Sequence, residues 1–90
     1  MGINRKSGIL SWSEDNINSA PSVLGIFILR TSPSTDSIEI IEAVENIKES
    51  LSNKMKESLL PGVKFFDWYE FENIEEAKKL VEAWSEKYIS

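Results

Sequence analysis

Apolar and polar positions alternate along this chain with periods that change four times. VLGIFILR, residues 23–30, is a near-continuous β-favouring run, the pattern of a strand covered on both faces. TSPSTDS, 31–37, is turn chemistry throughout, and IEII, 38–41, makes the return strand, with Ile38 and Ile40 on one face and Ile41 on the other. The period then lengthens. Val44, Ile47, Leu51 and Met55 recur at helical spacing, with Lys48 and Glu49 turned outward, and the proline and glycine after Leu60 stop the helix near Leu59. VKFFDWYEFE, 63–72, predicts a third strand, aromatic on both sides: Phe65, Tyr69 and Phe71 against Phe66 and Trp68.

Two helices complete the reading. Ser13 is an N-cap for a short turn with Ile17 and Ala20 inward and Pro21 as its stop. Asn73 caps the last helix, with Glu76 in capping-box position and Ile74, Ala77, Leu80, Val81, Trp84 and Tyr88 as the apolar stripe. The expectation is an α+β domain in the order α-β-β-α-β-α, with a three-stranded antiparallel sheet and flanking helices. Residues 1–10 are expected to be a flexible tail, and 11–90 a single domain.

Composition narrows the chemistry. The 90 residues contain neither Cys nor His, which removes thiolate nucleophiles, sulfur metal sites and the commonest general base. Ten basic residues against fifteen acidic ones give a net charge of −5, which weighs against nucleic acid as a partner. Asp67, Glu70, Glu72, Glu75 and Glu76 read as a solvated acidic face. A basic patch would need Arg5, Lys6, Arg30 and Lys64 to converge. No apolar run approaches the ~20 residues of a membrane span, and MGINRKSGILSW lacks the apolar stretch of a secretory signal, so a cytoplasmic protein without membrane contact is expected.

The strand pair with GIF at 25–27 and IIEAVENIKESL at 40–51, closed by IEEAKKLVEAWSEKY, resembles the GIY-YIG nuclease domain over about residues 20–88. That resemblance implies a central first strand. It also implies two tyrosines, a helical arginine and a metal-binding glutamate gathered around a phosphodiester. Here Phe27 and Ile40 stand at the two tyrosine positions, Ser50 at the arginine and Val81 at the glutamate, while Glu42 replaces the second glycine. A shift by one residue to Glu82 turns the side chain ~100° away from the shared face, and Lys48 lies nearly opposite Ser50.

No catalytic residue, metal site or cofactor is therefore expected. Glu42 and Glu45 lack convergent ligands and read as solvated carboxylates. Trp84 reads as core, whereas Phe66 and Trp68 are the aromatics with most claim to an exposed contact. The functional expectation is a non-catalytic interaction module. Phe27, Ile40, Glu42, Ser50 and Val81 would form a shallow contact patch with an acidic rim, open to a protein partner or a second copy of the chain. Two alternatives remain: a divergent metal-dependent phosphodiesterase using Glu42 or Glu82, and a nucleic-acid binder that has lost cleavage.

Overall fold

A computed structural model describes residues 3–34, 37–57 and 62–88. The elements run β1 (Ile3–Lys6), β2 (Leu10–Ser11), α1 (Glu14–Asn18), β3 (Gly25–Arg30), β4 (Ile38–Val44), α2 (Ile47–Glu57), β5 (Phe65–Phe71) and α3 (Ile74–Tyr88). All pairings are antiparallel, in the order β1-β5-β3-β4, with β2 also on β5. The expected three-stranded sheet is thus five-stranded. The two additional strands come from the segment read as a loose tail and from its junction with the domain. INRK carries no period-2 apolar signal of its own; it is held by the β5 edge, where Ile3 pairs with Phe71 and Lys6 with Tyr69. Gly8, at φ 73°, turns the chain between β1 and β2 in a conformation that glycine adopts without strain.

The central strand is β3, flanked by β4 and β5, and every one of its six residues is buried. Helices cover both sides of it. On one face Phe27, Leu29, Phe66 and Trp68 pack under Ile17 of α1 and Ala20 just after it, and under Ile47 and Leu51 of α2. On the other, Ile26, Ile28, Ile41 and Phe71 meet Ala77, with Ile74, Leu80, Val81 and Trp84 of α3 around them. Gly25 lets these layers close: a Cβ there would lie 2.1 Å from the Tyr69 carbonyl oxygen and 2.7 Å from Ile47 Cδ1.

Local signals placed the caps well. Ser13 Oγ accepts from the Asn16 amide at 3.3 Å, and Asn73 Oδ1 accepts from the Glu75 amide at 2.7 Å. Two details differ from the sequence reading. Val44, counted there on the helix, ends β4 opposite Gly25, because strand pairing extends to that residue before the chain bends at Glu45. Ile38 and Ile40 face opposite ways, since the register skips Glu39 between the Leu29–Ile40 and Arg30–Ile38 pairs. The expected helix stop near Leu59, the tip of the 31–37 turn at 35–36 and the side chain of Tyr88 lie outside what is described.

Candidate functional site

The five positions singled out by the nuclease resemblance do not come together. Phe27, Ile40 and Glu42 share the α2 side of the sheet, with Phe27 directly opposite Glu42 in the β3–β4 register. Phe27 is completely buried, between β4 and Trp68 of β5, so it offers no contact surface. The reason is its strand: a central strand covered by helices on both faces leaves no side chain at the surface. Ile40 is half-buried against the same cluster. Glu42 is partly exposed and pairs with Lys54 Nζ of α2 at 3.2 Å. Val81 lies across the sheet, among the α3 contacts. Phe66 and Trp68, expected to be the exposed aromatics, are buried as well, at 0% and 9% exposure.

The described structure contains a polar constellation that sequence reasoning missed. Arg30 and Asp67 are buried together on the α3 side of the sheet. Arg30 Nε donates to Asp67 Oδ1 at 2.9 Å, and its Nη2 reaches Oδ2 at 3.4 Å. Its Nη1 donates to the Ser34 carbonyl at 3.2 Å, and the Tyr69 hydroxyl donates to Asp67 Oδ2 at 2.9 Å. This places Asp67 apart from the solvated acidic face to which its neighbours suggested it belonged, and it removes Arg30 from any basic patch. A signal did exist: Asp67 interrupts the aromatic run FFDWY, and Arg30 is the one charge of VLGIFILR, at its end. Two such charges on strands covered on both sides call for one another. Every arm of the guanidinium is engaged, so the group acts as a clamp tying β3 to β5 and to the 31–34 turn.

Arg5 is likewise engaged, with its Nε on the Glu70 carboxylate and its guanidinium 5.9 Å above the Trp68 ring. Among the described residues no group of three or more His, Cys, Asp or Glu is placed to hold a metal ion, and no helix is long and apolar enough to cross a membrane.

No protein-family model, curated protein or solved structure matches the chain. The site must be read from its own geometry.

That geometry directs attention to the rim of the sheet. A surface pocket of about 430 Å³ opens where β4 ends, lined by Ala43, Val44, Glu45, Ser50, Ile74 and Lys78. Its walls come from α2 on one side and α3 on the other, so it straddles the sheet edge instead of sitting on a face. Ser50 thus keeps a surface role, at a different place from the groove expected of it. A second pocket of about 330 Å³ lies between α1 and α2, with Ile17 and Met55 among Glu14, Asn18, Ser52 and Lys56.

Proposed function

We propose that this chain is a non-catalytic interaction module that binds a protein partner on a scaffold resembling the GIY-YIG domain. The observation that carries this reading is the fate of the resemblance's reacting positions. Phe27 has no phenol and no exposed surface, and Val81 stands on the opposite face of the sheet. Phosphodiester chemistry needs a nucleophile activator, a cation and a metal ligand within a few ångströms of one phosphorus. Two of those positions are separated here by the thickness of the sheet. The net charge of −5 and the engagement of Arg5 and Arg30 in ion pairs further weaken the case for a nucleic-acid surface.

The test is incubation of purified protein with single- and double-stranded DNA and RNA in magnesium or manganese. No cleavage above a buffer control is expected. Metal-dependent cleavage abolished by Glu42→Gln or Glu82→Gln overturns the proposal in favour of a divergent phosphodiesterase.

A further inference from the structure

We propose that the outer edge of β4 accepts an extended, lysine- or arginine-bearing segment of a partner protein as an added strand. This deepens the interaction-module reading and rests on it. The first ground is main-chain chemistry. Among the described residues β4 pairs with β3 alone, so alternate backbone N–H and C=O groups along its seven residues face outward without a strand partner. Such an edge is a template for pairing, and proteins that do not use one blunt it.

This molecule blunts its other edge. There the strand is split into pieces of four and two residues around Gly8, and it carries Arg5 and Lys6. On β4 the single irregularity is at Glu39, and from Ile40 to Val44 the register runs unbroken. It contains no proline or lysine, and its charges are the acids Glu39 and Glu42.

The second ground is the flank. The pocket beside Val44 offers Ala43, Val44 and Ile74 to an apolar side chain of the incoming strand. Its lining carries one charge of each sign, Glu45 and Lys78. The partner's basic residues belong at the two ends of β4, where Glu39 and Glu45 are exposed.

Charge also selects the occupant. A second copy paired antiparallel about Glu42 would set Glu39 against Glu45 at both ends of the strand, and like charges across strands are destabilising. A basic segment meets complementary charge at those positions and keeps the main-chain bonds.

The experiment titrates isotopically labelled full chain with an end-blocked seven-residue peptide of alternating valine and lysine, followed by amide NMR. Shift changes confined to residues 38–45, Ser50 and the start of α3, with slowed amide exchange in β4, are expected. N-methylation of alternate peptide residues removes main-chain donors and should weaken binding about tenfold or more. The double variant Glu39→Lys, Glu45→Lys, folded by circular dichroism, should lose about tenfold in affinity. A valine–glutamate peptide should leave the spectrum unchanged.

The proposal is overturned by an unperturbed β4 or by equal affinity for the N-methylated peptide, which would signify charge attraction alone. Concentration-dependent β4 shifts in peptide-free protein would also overturn it, since the occupant would then be a second copy. None of these results bears on the cleavage assay, so the two readings fail separately.

Discussion

The two faces of β3 are packed by different physics. Towards α1 and α2 the contact is apolar: Phe27 and Leu29 from β3, Phe66 and Trp68 from β5, with Trp12 edge-on to Phe66 at 5.5 Å between centroids. Towards α3 the apolar cluster of Ile26, Ile28 and Phe71 gives way at one end to the Arg30–Asp67–Tyr69 network. The apolar face is non-directional, and its stability follows area and volume. It even contains an indole N–H, that of Trp68, with no hydrogen-bond partner among the described residues. The polar face depends on each member being present, because either charge alone would be buried without compensation. Stability on the first side is spread out, whereas on the second it is conditional.

Truncation on the apolar face should have the largest effect. Phe27→Ala is expected to cost about 3–5 kcal/mol, a large share of the ~5–15 kcal/mol that holds a domain folded. Urea unfolding followed by tryptophan fluorescence measures it, and a loss below ~1.5 kcal/mol would show that the face collapses around the cavity. Asp67→Ala should cost a similar ~3–5 kcal/mol, for a different reason: it strands the Arg30 guanidinium.

A double-mutant cycle sharpens the distinction. Arg30→Met combined with Asp67→Leu should recover most of the single-variant loss, because the pair's desolvation penalty disappears with it. Additive losses would instead mean that the two residues contribute independently. Tyr69→Phe removes one hydrogen bond to a carboxylate and should cost about 1.5–3 kcal/mol, with no further loss when introduced into the Arg30→Met, Asp67→Leu background. The smallest effect belongs to the exposed rim. Lys54→Ala, which breaks the contact with Glu42, should change stability by less than about 1 kcal/mol, and added salt should shrink it further.

Legibility in the sequence followed the range of each interaction. The aromatic alternation of β5 assigned Tyr69 and Phe71 to one face and Phe66 and Trp68 to the other, as observed. The α3 stripe was equally readable, since Ile74, Ala77, Leu80, Val81 and Trp84 all pack inward from one helix. The contact patch was less legible. Inferring it required knowing that Phe27 and Val81 lie on opposite faces of the sheet, and one-dimensional spacing carries no such information. The β4 rim escaped notice because an edge is defined by the strand that is missing.

By itself the sequence determined the α+β class, the helix caps, the order of the main strands and helices and the absence of thiol and imidazole chemistry, because each depends on neighbours within a few residues or on composition alone. Only the tertiary structure decided that INRK is a strand, since β5 supplies the partner that makes it one. Only there, too, does Asp67 become a buried ion and not a surface acid, because its counter-charge stands 37 positions away in the chain. Burial and pairing are properties of what lies alongside, and the fold chooses those neighbours by closing the sheet.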